Sequence, residues 1–512
     1  MTATWQDDHL SIKKAELQGR GFNLTANGAL DDHLKFSAQV ADLSQLLPDG
    51  HGTGSARGWV RWRNRKLGGQ ILFQGRDLSW KNVKGGTVDL EADYDQEKKD
   101  TAIDLKARIK KGTYDSFPVD FLNLQVQGTL ARQGITFSAL TPQGTVQAGL
   151  KGAYDQKRWQ GTLATLSGEI PRGKAFRLQS PADLVISPDR FQLSSLVLTG
   201  EGEERLTFDG GLGLKPLSGS IRIEWQRLNL ARTRPWLEKL KPEGWTAGSL
   251  QARFLGDDRM EYRLQNEMSG KFQAEGQTVS VKRSGFNLTW DNGGLRSSWE
   301  IKLSEGGTFS GQAASTDKAR LAFPSQGTFL SSMEGFDLET WQTLLPAGLS
   351  ARGRVGGRLQ GQWSEGKRWK LAGNLKATGG SLAWKKNGAE FQARLSRADL
   401  GISWQDDSLR GNLALELENH GQASGDFSLP LSPRFPLKLR PSGAVQAHLS
   451  GKFQERGLVT ALFPQAVRAS RGKMQWDLTA QGTWEKPVLG GTLELSEAGA
   501  DLPALGLRLK DI

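Results

Sequence analysis

The feature that most limits what this chain can fold into is a hydrophobic alternation of period two that scarcely breaks. From Met474 to Gly482, Met474, Trp476, Leu478 and Ala480 alternate with Gln475, Asp477, Thr479 and Gln481. A repeat of two residues marks a β-strand with one face buried. Pro487 cannot donate to a ladder and so opens a second strand, with Leu489, Gly491, Leu493 and Leu495 on one side and Thr492, Glu494 and Ser496 on the other. Alternation resumes in Leu505, Leu507 and Leu509. Upstream, Val88, Leu90, Ala92 and Tyr94 run to a polar turn, and Ile103, Leu105, Ala107 and Ile109 run back, which predicts a hairpin over 87–109. Leu122, Leu124 and Val126 continue that series.

Between strand groups stand short segments that read as helices ended by proline. They are Asp42–Pro48 with Asp42 as N-cap, Leu230–Leu240 stopped by Pro242, Asp337–Pro346, and a last one from Leu458 to Pro464. The landmarks Pro48, Pro142, Pro242, Pro346 and Pro464 lie 94, 100, 104 and 118 residues apart, a loose spacing of the kind an architectural repeat shows. No Gly/Ser-rich linker divides the 512 residues, so 1–512 reads as one continuous array. The 37% hydrophobic content is low for a packed globule and suits an elongated protein with one apolar face. At ordinary strand and turn lengths the chain holds about forty strands, which at about 4.8 Å each would stack to roughly 190 Å.

Forty amphipathic strands need somewhere to put their apolar faces, and a handful of short helices cannot cover them. The sheet either closes on its own side chains or curls into a trough that something else fills. Glycine and alanine are interleaved with Leu, Val, Ile, Phe and Trp, and small residues permit a hollow interior where a self-filled core wants bulk. The expected fold is therefore all-β: an elongated, curled antiparallel sheet, a U-shaped groove, with a few short amphipathic helices. Tryptophan is expected at the rim, because Leu78/Trp80, Leu288/Trp290, Leu382/Trp384 and Ile402/Trp404 place it at strand ends, three of them before turn residues. Rim packing is the simpler role for these residues and ligand contact the sharper one.

Several chemistries find no support. Cysteine is absent, which removes disulfides and thiolate metal sites and suits an oxidising periplasm. His9, His33, His51, His420 and His448 have no neighbour at metal-ligand spacing; His33 and His51 read as loop residues. The acidic pairs Asp7-Asp8, Asp257-Asp258 and Asp406-Asp407 sit where turns are expected, and Gly353–Gly357 lacks the strand-then-helix context of a phosphate loop. No active site, metal or cofactor is expected, and the chain does not read as an enzyme. The net charge of +12 is spread along the whole length, as on a solvated face, or as an attraction to anionic headgroups or lipopolysaccharide. Nucleic acid is a poor third, since no recognition module appears. No apolar run reaches the roughly 18–20 residues of a membrane helix, no signal peptide opens the chain, and Ile512 falls inside a strand pattern. The chain reads as an internal piece of a longer protein.

The segment Gly472–Leu495, closed by Leu502–Asp511, resembles the repeat of the TamB (translocation and assembly module subunit) family, and the wider AsmA-like family shares its style. The resemblance is specific over 457–512, moderate over 337–384, and a matter of style elsewhere. It implies a U-shaped sheet with a hydrophobic lumen, an inner-membrane anchor and a further C-terminal region outside this piece, and a periplasmic protein bridging the two membranes. Its implied function is phospholipid transfer, with acyl chains in the groove and headgroups at the open seam. The energetics suit this, because each buried methylene contributes roughly 0.8 kcal/mol, about 14 kcal/mol for an eighteen-carbon chain. The candidate groove-lining residues, taken by alternation, are Leu90, Ile103, Leu105, Leu124, Val126, Leu371, Leu375, Leu382, Leu413, Leu415, Leu417, Trp476, Leu478, Leu493, Leu495, Leu505, Leu507 and Leu509. The alternative is an assembly factor for outer-membrane β-barrels. It would act with a TamA or BamA-type partner and hold nascent strands at sheet edges.

Overall fold

The computed structural model describes residues 2–510 apart from 7–8, 46, 99, 116, 171–174, 235–236, 238–239, 257, 275–276, 340–348, 365–367, 387–388, 406, 432–439, 457–459 and 461–466. Thirty-two strands are present among the described residues, with 3₁₀ turns between some of them. They fall into two compact units, Met1–Asp258 and Arg259–Ile512. The count is below forty because the strands are long; Arg368–Lys386 has 19 residues and Ala389–Gln405 has 17.

Each unit is an antiparallel meander in which a strand pairs with its sequence neighbours. The hairpin expected over 87–109 is formed by Val83–Asp95 and Ala102–Tyr114, with Val88 opposite Ile109, Leu90 opposite Ala107 and Tyr94 opposite Ile103. One departure occurs in the first unit, where Arg158–Glu169 pairs with both Phe176–Leu178 and Ala182–Ile186.

The helices are corrected. At the first two positions the described residues form single 3₁₀ turns, Leu43–Gln45 and Leu230–Thr233, too short to present an amphipathic face; residues 46, 235–236 and 238–239 of the expected helices lie outside the described residues. Asp42 does cap the first, its carboxylate accepting from the Ser44 N–H at 3.0 Å. The expected helices at 337–346 and 458–464 lie largely outside the described residues. His51 lies within the strand Gly50–Arg63 and not in a loop.

Both units bend at β-bulges. Gly52, Asp77 and Lys111 take left-handed φ of 110°, 50° and 53° inside strands, and Gly353 and Gly379 take 129° and 67°. A bulged residue sends its strand off at an angle and exchanges its faces. In the strand Arg368–Lys386 the inward residues are Leu371, Leu375 and Ala377 before the bulge, but Leu382 and Trp384 after it. Residues from both sides of this bend, Ala377 and Ala398 from one and Phe391, Ala393 and Leu382 from the other, meet in one cluster. The second unit's sheet therefore curls toward its apolar face. In the first unit Leu193 and Leu196 flank a bulge and gather with Leu163 and Ala182.

Candidate functional site

Antiparallel partners share a face, so the ladder extends the alternation sideways into rows. In the first unit one row runs Ile71, Ala92, Leu105, Val126, Ile135, Leu150 and Leu163. In the second, Leu375, Leu400, Leu413, Gly425, Leu449, Leu478 and Gly491 form another. Each unit thus carries an apolar ribbon crossing its strands, without a charged residue in these two rows.

The candidate residues fall on this ribbon as follows. Leu90, Ile103, Leu105, Leu124 and Val126 share one face of the first unit and are half-buried. In the second unit, Leu371, Leu382, Leu415 and Trp476 are half-buried, while Leu417 is buried within the cluster of Phe391 and Phe453. Leu375, Leu413 and Leu478 stand toward the open part of the ribbon and are exposed. Leu493 and Leu495 partner Trp476 and Met474 but are exposed, because among the described residues only Ala500–Leu502 of their strand has a partner on its other edge. Leu507 and Leu509 partner Leu502 and Ala500. Leu505 is a correction: it sits in the 3₁₀ turn Pro503–Leu505, 69% exposed and off the ladder, because Pro503 starts a turn before alternation can resume.

Glycine plays a different part from the one expected of it. At Gly311, Gly361, Gly411 and Gly451 an added Cβ would meet ring atoms of Trp299, Phe329, Phe427 and Trp476 at 2.3–2.5 Å. These glycines do not hollow the groove. They seat aromatic rings flat across the neighbouring strand, which leaves a smooth apolar floor.

The expected rim position of tryptophan holds. Trp80 ends its strand, and Trp290 is next to last in Gln277–Asp291. The indole N–H groups of Trp290, Trp363 and Trp404 donate to loop carbonyls of Asp317, Pro324 and Leu431 at 2.8, 3.1 and 2.8 Å. Alternation could not reveal the buried pair Glu204–Arg232, which lie 28 residues apart. The Arg232 Nε donates to Glu204 Oε1 at 2.9 Å, and its guanidinium lies 3.9 Å over the Phe176 ring. The backbone N–H groups of Asn229 and Glu201 also donate to this carboxylate, at 2.7 and 2.9 Å. Burial works to raise the Glu204 pKa, but these donors outweigh it and hold the carboxyl below its ordinary value.

The opposite face is polar, with cross-strand ion pairs such as the partly exposed Lys106–Glu91 and the exposed Arg283–Glu267 at 3.6 and 3.3 Å. Such pairs contribute about 0–1 kcal/mol each. A shallow concavity of 930 Å³ lies mainly on this face of the second unit, among Asn287, Ser298, Gln312, Gln360 and Lys370. Among the described residues no group of three or more His, Cys, Asp or Glu side chains is placed to hold a metal ion, and no described helix is long and apolar enough to cross a membrane.

A family model described as TamB, N-terminal domain, matches residues 4–323 and 319–434. The match covers the stretch whose resemblance was one of style and of moderate strength. The 457–512 segment, where the resemblance read as most specific, lies outside it.

Proposed function

The chain belongs to the TamB family, a family of the bacterial cell envelope, and on that premise we propose that it conducts phospholipid acyl chains along the apolar ribbon of its sheets, between inner and outer membranes. The observation that supports this most is the lateral continuity of apolar rows from strand to strand, half-buried in the first unit and exposed at Leu375, Leu413, Leu449 and Leu478 in the second. A lipid tail on such rows exchanges water for hydrocarbon while its headgroup stays at the wet seam, and each methylene covered contributes about 0.8 kcal/mol. The chain acts in this reading by binding and guidance, with no catalytic step. Periplasmic location, an outer-membrane partner of the TamA type and an inner-membrane anchorage of the full protein belong to the same proposal.

Assembly of outer-membrane barrels would draw on sheet edges, where unpaired N–H and C=O groups can accept a strand. The continuous apolar face favours lipid over that use. Native mass spectrometry of the purified chain tests the choice: co-purified phospholipid is expected, and a chain free of lipid after extraction from lipid-replete membranes would contradict it.

A further inference from the structure

We propose that the loop 316–326 of the second unit, between Thr308–Ser315 and Gly327–Asp337, docks on an anionic phospholipid surface and hands acyl chains to the apolar face beside it. The handing-on rests on the conduit reading, whereas the docking does not.

The loop displays two large apolar side chains, Leu321 at 74% and Phe323 at 72% exposure. Looseness is not the cause, because the loop is tied from within. The Asp317 carboxylate accepts from the Ser325 N–H and hydroxyl, both at 2.6 Å, and from the Gln326 amide at 3.3 Å. The Ser325 hydroxyl, first among these donors, holds the Asp317 carboxyl below its ordinary range. The carbonyls of Asp317 and Pro324 are fixed by the indoles of Trp290 and Trp363, and Ala319 is buried and bonded to the Asp291 carbonyl at 3.1 Å. A neighbouring connection shows how little chain the sheet needs: Asp291 and Gly294 are ladder partners on either side of a tight turn. The longer loop holds Leu321 and Phe323 out in water, which is unfavourable relative to burying them.

Two further observations say what covers them. Lys318 and Arg320 precede the apolar tip and are exposed; Asp317 makes a 3.5 Å pair with Arg320 and is the loop's sole acid. Exposed apolar side chains beside two cations match a bilayer with anionic headgroups. The tip is also joined to the ribbon by rings. Phe323 lies 5.9 Å from Trp363, Trp363 lies 5.9 Å from Trp369, and Trp369 lies 6.4 Å from Phe329, on the apolar face.

Co-sedimentation with vesicles tests the docking. The purified chain is expected to bind mixed phosphatidylglycerol–phosphatidylcholine vesicles and to bind pure phosphatidylcholine less. Leu321→Ser with Phe323→Ser should lower partitioning at least about tenfold. Lys318→Gln with Arg320→Gln should remove the preference for phosphatidylglycerol. Leu330→Ser, on the polar face and 42% exposed, should change neither, and unfolding curves show that each variant is folded. Unchanged binding by the Leu321/Phe323 variant, equal binding to both vesicles, or none to either would overturn the proposal. Capture of detergent-solubilised phospholipid by a photo-crosslinker at Leu415 reports on the conduit separately: capture without vesicle binding sinks the docking loop and leaves the conduit standing.

Discussion

Gly451 and Trp476 are ladder partners, and the indole of Trp476 fills the space that a Cβ on Gly451 would need, its Cζ2 2.5 Å from that position. The same indole stacks on Phe453 at 5.0 Å. Gly451→Val must push the ring off its seat, and overpacking of this kind costs about 1–3 kcal/mol. Denaturant unfolding should show that loss, together with a red-shifted tryptophan emission, whereas the same change at exposed Gly490, where the nearest atom is a threonine hydroxyl at 3.3 Å, should cost less.

The Glu204–Arg232 pair should behave as a buried charge pair. Removing one partner, as in Arg232→Met, leaves Glu204 uncompensated and is expected to cost about 3–5 kcal/mol. Glu204 has a lowered folded-state pKa against an ordinary 4.5. Its contribution is therefore present above about that pH and lost as pH falls through the lowered value. Glu204→Gln should flatten the acid side of the stability profile; a profile as steep as wild type below pH 4.5 would show that other carboxyls dominate.

The bulges can be tested by exchanging residues at left-handed positions. Lys111 is exposed with φ 53°, a conformation costing a non-glycine residue about 1–2 kcal/mol, so Lys111→Gly should raise stability by up to about 1 kcal/mol. Gly353→Ala should do the reverse, because φ is +129° and the new Cβ would stand 2.5 Å from the Gly379 carbonyl oxygen.

These positions also show why the fold was legible only in part. Alternation between Val88 and Tyr94 carries the hairpin, its partners and its inward face in a few residues, because a strand's faces are fixed by parity alone. A bulge reverses parity at one residue and leaves little trace when that residue is Asp77, Lys111 or Ser195. The bend that gathers Ala377 with Phe391 was therefore hidden, as were the burial of Phe391, Ala393 and Leu395. Leu-rich segments before Pro48 and Pro242 resemble helix starts, but Asn229 and Asp42 cap single turns that lead back into strands. Glycine misled for a different reason: on a sheet its missing side chain is filled from the next strand, by rings such as Phe329 over Gly361, and no local pattern announces the partner. The pair Glu204–Arg232 was invisible for want of any sequence proximity.

Charge on the ribbon should block it. Leu415 packs toward Ala398 and Ala423, while its neighbour Glu416 faces Gln422 on the polar side. Leu415→Arg places an unpaired charge on the acyl path at a cost of several kcal/mol, and lipid carried by the folded variant should fall at least tenfold. Glu416→Arg should carry lipid as wild type does.

The most direct measurement is photo-crosslinking at neighbouring residues of opposite parity, followed by mass analysis of the adducts. Leu105, Leu375, Leu415 and Trp476 lie on apolar rows, and Lys106, Lys376, Glu416 and Gln475 lie on the polar rows beside them. Phospholipid adducts are expected at the first four and absent from the second. Adducts on both faces alike, or protein adducts in place of lipid at the first four, would contradict a lipid conduit.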